Sequence, residues 1–183
     1  PEDGTREVTF SRELYIEAED FLETPVPKYK RLFPGGPECR LKGAYLIKCV
    51  GCVKDADGRV TEVLCEYDPD SRGGDPADGR KVKGATIHWV DAATAIDAEV
   101  RLYDNLFTDA DPDAADKNFL ECLNPNSLEV LTGCKVEPSL ADAAAPASFQ
   151  FMRLGYFCLD SKDSRPGHLV FNRSVSLKDS FKK

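Results

Sequence analysis

Methionine, tryptophan and histidine are almost missing from this chain, with one Met, one Trp and two His in 183 residues. With only His88 and His168 available, histidine-based metal sites and general-base constellations have little to draw on. His88, between Ile87 and Trp89, reads as a packed strand residue and not as a general base. The signatures G-x-x-x-x-G-K-S/T, G-x-G-x-x-G opening a helix, H-E-x-x-H and G-x-S-x-G are all absent. The phosphate-cradling, dinucleotide-binding, zincin and serine-hydrolase classes therefore have no sequence support. No apolar run approaches the roughly 20 residues that a membrane helix needs. The N-terminus lacks a basic region followed by an apolar one, so nothing marks it for secretion. No internal repeat is visible, and the residues alone offer no catalytic candidate.

What is present is the composition of a globular protein, 42% hydrophobic and 31% charged, with a formal net charge of -8. The length permits one domain or two small ones with a real core. Seven cysteines, an odd number without dense regular spacing, do not read as a secreted disulfide framework. Cys49 and Cys52 form a C-x-x-C pair, but no second pair exists and the motif falls within a strand pattern. We read the cysteines as small core hydrophobes in a reducing cytoplasm. The chain starts at Pro1 and its only methionine is Met152, which leads us to expect a piece of a longer protein.

Against the acidic total, residues 28–48 concentrate six cations, Lys28, Lys30, Arg31, Arg40, Lys42 and Lys48, facing Glu38 alone. Charge runs are commonly solvated loops. Basic segments on an acidic protein can also hold a polyanion locally while the remaining surface repels it. Tyr29 and Tyr45 interleave with these cations, a combination that suits single-stranded RNA. A second basic cluster, Arg80, Lys81 and Lys83, follows the Gly/Pro/Asp-rich loop 68–79. Later in the chain, Phe149-Gln-Phe-Met-Arg153 alternates. Strand periodicity puts Gln150 and Met152 opposite Phe149, Phe151 and Arg153. Gln150 can offer a donor and an acceptor to a base edge, and Arg153 a planar fork.

The periodicity predicts many short strands: 5–16, 28–32 and 39–48 as a hairpin around Phe33-Pro-Gly-Gly-Pro, and 44–54 with 60–67 around Asp57-Gly58. Strands are also expected over 87–90, 98–107, 127–136, 148–159 and 169–177, with a helical stretch at 114–123 and a short acidic turn at 17–22. This is a mainly all-β fold, with two closed or nearly closed antiparallel β-barrels and one or two short helices. Composition shifts predict a module at 23–107 enclosed by a discontinuous one made of 1–22 and 108–183.

Several stretches resemble a known family in its order: Phe10-Ser-Arg-Glu-Leu-Tyr-Ile16, Tyr29-Lys-Arg-Leu32, Arg40-Leu-Lys-Gly-Ala-Tyr45, Asp75-Pro-Ala-Asp-Gly-Arg-Lys-Val-Lys-Gly84, Ile87-His-Trp-Val90, Glu99-Val-Arg-Leu-Tyr-Asp104, Glu137-Pro-Ser-Leu140, Gly155-Tyr-Phe-Cys158 and Val170-Phe-Asn-Arg173. The chain resembles the C-terminal anticodon-binding region of glutaminyl-tRNA synthetase. The resemblance implies a distal barrel at 23–107 and a proximal, N-terminally truncated barrel from 1–22 and 108–183, of the kind shared with a ribosomal protein. It further implies that Lys28, Lys30, Arg31, Arg40 and Lys42 in the first, and Gln150 and Arg153 in the second, contact the unstacked anticodon bases and their phosphates. Glutamine is common in the family at position 28 and arginine at 42, and a lysine lacks the planar fork of arginine. The partners implied are the tRNA for glutamine and an upstream catalytic domain that uses ATP with magnesium. The chain itself is expected to bind no cofactor and no metal and to charge no tRNA. A monomer in the cytoplasm is the corresponding expectation. The alternatives are the same barrels in a glutamyl-tRNA synthetase, or a non-catalytic β-barrel module that binds RNA or protein.

Overall fold

The Asp57-Gly58 pair caps a long antiparallel hairpin in the computed structural model, which describes residues 5–114, 116 and 118–177. Gly58 takes φ +79°, and Asp55 Oδ1 accepts the N–H groups of Asp57 and Arg59 at 3.0 and 2.8 Å. The arms are β3 (Leu46–Lys54) and β4 (Val60–Asp68), the span expected from alternation. The chain divides between Ala93 and Thr94 into two compact units, each with a core of its own.

The first unit holds β1 (Leu14–Ile16), β2 (Cys39–Leu41), β3, β4, β5 (Thr86–Ile87) and β6 (Trp89–Asp91). β1 pairs antiparallel with β6, and a second sheet runs β4-β3-β2-β5. Leu32, Leu41 and Ile87 are fully buried in its core, together with Phe21, Cys39, Cys49 and Trp89. Phe10 lies 4.8 Å from Tyr45 and 5.6 Å from Trp89 between ring centroids, so aromatic faces close this core where the short strands end. The cysteines with small-hydrophobe roles are Cys39 and Cys49; burial pushes the Cys39 thiol up to about 11. All seven cysteines are unbridged.

The second unit is one five-stranded sheet ordered β8-β7-β11-β10-β9. Its strands are β7 (Ile96–Tyr103), β8 (Leu128–Val136), β9 (Ser148–Phe151), β10 (Gly155–Leu159) and β11 (Leu169–Ser176). Phe149, Phe151, Phe157 and Phe171 meet on its inner face, Phe151 stacking on Phe157 at 4.4 Å. Burying a side chain such as Phe157 or Phe171 contributes about 1.5–3 kcal/mol. On the other face, Arg101 bonds Glu99 and Asp163 at 2.7 and 2.6 Å, and Asn172 donates to Asp160 at 2.7 Å. The N–H groups of Asp163 and Lys162 also point at Asp160, and with Asn172 they hold its carboxyl well down, to about 2.

The mainly β class holds, but among the described residues none of the three sheets closes into a barrel. The reason is visible in two pairings. β2 runs parallel to β5 and β7 runs parallel to β11, so each sheet is completed by a distant strand, with β4 and β5, or β8 and β9, left as edges. Local departures have local causes. No strand forms over 28–32: Lys28 takes φ +67° in a turn after Pro27, and only an isolated bridge joins Leu32 to Phe21. The expected strand 39–48 breaks at Lys42-Gly43, where Gly43 has φ +70°, and β2 folds back on β3. Residues 148–159 are a hairpin and not one strand. In 114–123 the helical segment is a single 3-10 turn, Phe119–Cys122, with Asn118 accepting the Leu120 N–H; Ala115 and Lys117 lie outside the described residues. The boundaries expected at 23–107 also differ from the division observed, since 94–107 belongs with the second unit and β1 with the first. No helix among the described residues is long and apolar enough to cross a membrane.

Candidate nucleic-acid interface

The 3-10 turn Ala18–Asp20 anchors the first half of the basic stretch. The Leu32 N–H donates to the Asp20 carbonyl at 2.9 Å and the Leu22 N–H to the Leu32 carbonyl at 3.0 Å, which straps residues 28–32 against 20–22. The Asp20 carboxylate is fully buried and lies 3.3 Å from Arg31 Nε. Arg31 Nη1 donates to the Glu19 carbonyl at 3.2 Å, and the Tyr29 hydroxyl donates to the same carbonyl at 2.8 Å. The Arg31 guanidinium is therefore oriented by backbone and carboxylate while remaining partly exposed. Tyr29 is half-buried, its ring 6.3 Å from that of Phe33.

Arg40 sits in the middle of β2. Its backbone N–H donates to Ala85 and its side chain crosses to the long loop, with Nε on the Gly74 carbonyl at 2.7 Å and Nη2 3.3 Å from Asp75 Oδ1. Lys42 occupies the turn after β2. Its N–H donates to Ile87 and its carbonyl accepts Trp89 Nε1 at 3.1 Å, so the backbone is fixed and the ammonium exposed. Lys28 and Lys30 are exposed as well, and none of these three lysines forms an ion pair among the described residues. Two held arginines thus sit beside three exposed lysines. A held guanidinium presents a fixed planar fork and an exposed lysine a mobile point charge, the two devices that base edges and phosphates respectively require.

Arg80, from the second basic cluster, is spent differently. It donates to Glu38 at 2.9 and 3.0 Å, to Asp68 at 2.6 Å and to Asp78 at 3.0 Å. These bonds raise its pKa further and lower that of Asp68, while Asp78 is lowered first by the Arg80 backbone N–H, 3.0 Å from its Oδ1, and then by the guanidinium. Arg80 is a clasp at the neck of the loop.

In the second unit, Gln150 is exposed on β9, opposite Tyr156 of β10, while Phe149 and Phe151 turn toward the core. That is the alternation expected for Gln150. Arg153 departs from it: the strand ends at Phe151 and Arg153 lies in the three-residue turn, at φ +66° and half-buried. The seven expected residues therefore fall into two groups, five in the first unit and two in the second.

Sequence reasoning missed Asp20, Asp75 and Tyr156. Among 32 acidic residues, nothing in the chain singles out one that is buried under an arginine. Tyr156 is 46% exposed beside Gln150, and alternation along 155–159 is the signal that marks it as outward-facing.

Two family models, both of class I (E and Q) tRNA synthetase anticodon-binding domains, match residues 1–68 and 86–160. The chain is 54% identical over 180 residues to a glutamine-tRNA ligase of Pseudomonas syringae pv. tomato, covering 97% of this chain and 31% of that protein. It is 55% identical over 180 residues to a glutamine-tRNA ligase of Clostridium kluyveri, covering 98% of this chain and 32% of that protein. Identity to one from Vibrio cholerae serotype O1 is 56% over 183 residues, covering 100% of this chain and 32% of that protein. The chain spans about a third of the length of these curated relatives. With both models matched in order across the two units, the chain belongs to the anticodon-binding domains of class I tRNA synthetases of the E and Q type.

Proposed function

We propose that this chain recognises the anticodon of the tRNA for glutamine as part of a glutamine-tRNA ligase. The observation that carries the reading is the pair of held guanidiniums, Arg31 on Asp20 and Arg40 on the Gly74 carbonyl and Asp75, beside the exposed Lys28, Lys30 and Lys42. Oriented forks suit unstacked base edges, and exposed ammonium groups suit phosphates. Gln150 and Arg153 give the second unit a contact surface of its own, with Tyr156 as an exposed plane next to Gln150. The names of the relatives favour glutamine over glutamate as the amino acid attached.

Charging then takes place in a catalytic domain outside this chain, with ATP and magnesium, and no residue here is assigned to either. The enzyme works in the cytoplasm as a monomer on this reading. The test is Arg31→Ala and Arg40→Ala in the full-length ligase. Each is expected to cost about 1–3 kcal/mol in discrimination between cognate and anticodon-altered tRNA. Unchanged discrimination in both variants overturns the reading.

A further inference from the structure

Lys81 and Lys83 belong to a basic cluster with no part in the anticodon contacts proposed so far. Their position is set by the backbone that follows them. Gly84 N–H donates to the Glu38 carbonyl at 3.1 Å, and Ala85 is held from both sides, its N–H on the Lys30 carbonyl at 2.7 Å and its carbonyl on the Arg40 N–H at 3.0 Å. The approach is close enough that a Cβ at residue 84 would lie 2.1 Å from the Glu38 carbonyl oxygen. Glycine is required there, and residues 84 and 85 are docked between residue 30 and residues 38–40. Lys83 stands two residues before Ala85, within about 7 Å along the chain.

Charge points the same way. The acidic groups beside this segment, Glu38, Asp68 and Asp78, are all engaged by Arg80. Lys81 and Lys83 are exposed and form no ion pair among the described residues. Two mobile ammonium groups thus adjoin the edge that carries Lys30 and Arg40, with the neighbouring carboxylates neutralised.

We propose that Lys81 and Lys83 are further RNA contacts that hold the phosphate backbone of the strand bound along the Lys30 and Arg40 edge. The inference rests on the anticodon-binding reading. It assigns these lysines affinity without base discrimination, because an ammonium lacks the fork that reads a base edge.

The experiment places Lys81→Gln with Lys83→Gln in the full-length ligase, with Arg31→Ala as the comparison variant. Binding of the tRNA for glutamine and of an anticodon-altered tRNA is measured across a salt series. The double lysine variant is expected to weaken both tRNAs alike and to flatten the slope of log K against log salt by about 0.7 for each phosphate no longer neutralised. Its melting temperature is expected to stay at the wild-type value, since both side chains are exposed. Unchanged affinity and slope, with Arg31→Ala still losing discrimination, overturn the inference and leave the function standing. No effect from either variant overturns the inference, and with Arg40→Ala silent as well it overturns the function too. Impaired discrimination with an unchanged slope makes these lysines base-reading groups and overturns the phosphate assignment.

Discussion

The two units present their candidate RNA-contacting residues by opposite means. In the first, each held arginine depends on a partner outside its own turn or strand: Arg31 on Asp20 of the preceding 3-10 turn, Arg40 on Gly74 and Asp75 of the long loop. In the second, Gln150 and Arg153 come from one hairpin, whose strands β9 and β10 are joined by three residues. A surface assembled from distant loops has its geometry tied to the unit's folding, whereas a hairpin carries its residues with it. Changes far from the cations should therefore impair RNA binding by the first unit. In the second, the loss should stay confined to the residue changed.

The strongest way to break that comparison is to disturb the close approach in each unit. Gly84→Ala drives a Cβ into the Glu38 carbonyl, and Gly155→Ala drives one to 2.4 Å from the Val175 carbonyl. Both are expected to destabilise by about 3 kcal/mol, as overpacking against backbone does. Circular dichroism melts read the stability. At a temperature where Gly84→Ala remains folded, its tRNA discrimination should still fall, because Ala85 links Lys30 to Arg40.

Asp20→Asn is expected to act next most strongly. It keeps the shape but removes the buried charge facing Arg31, at a cost of about 1–3 kcal/mol. In a double-mutant cycle on tRNA discrimination, Asp20→Asn and Arg31→Ala should be non-additive. Additive losses would mean that Arg31 is not oriented by Asp20. In the second unit, Gln150→Ala should leave stability within about 0.5 kcal/mol, being an exposed change. It should still weaken binding of the cognate tRNA in a filter assay.

The smallest effect expected is on acid stability. The Asp160 carboxyl is held down to about 2, chiefly by the Asp163 N–H and then by Asn172. A depressed folded value means stability that is present above the unfolded carboxylate pKa of about 3.9 and is lost as pH falls from there toward 2. Asp160→Asn should flatten this limb of a pH melt for the second unit. An unchanged limb would show that Asp160 is not among the groups that govern it.

The same contrast explains what is legible in the chain. The β3–β4 hairpin and the outward face of Gln150 can be read because both follow from neighbours: an Asp-Gly turn between apolar runs, and alternation with two phenylalanines. Periodicity expects strands at Lys28 and Arg153, yet both lie in turns with positive φ, which non-glycine side chains seldom adopt and which residue type therefore does not announce. The parallel pairing of Arg40 with Thr86 joins residues separated by the whole Gly/Pro/Asp-rich loop, and periodicity carries no information about which strand lies beside which. Asp20 is invisible for a related reason: its role is set by burial, and burial is a property of the folded unit.

The Arg80 clasp bears on how this protein can change. Glu38, Asp68 and Asp78 close a ring whose intervening chain, residues 69–79, holds eleven residues. Once the neck is tied, lengthening the ring costs only the slow logarithmic growth of loop-closure entropy, about 0.6 kcal/mol for a doubling. Insertions at its exposed outer turn, around Ala77, would leave Lys81, Lys83 and β5 in register. The loop is thus a place where length can drift between relatives while the basic edge beside it keeps its position.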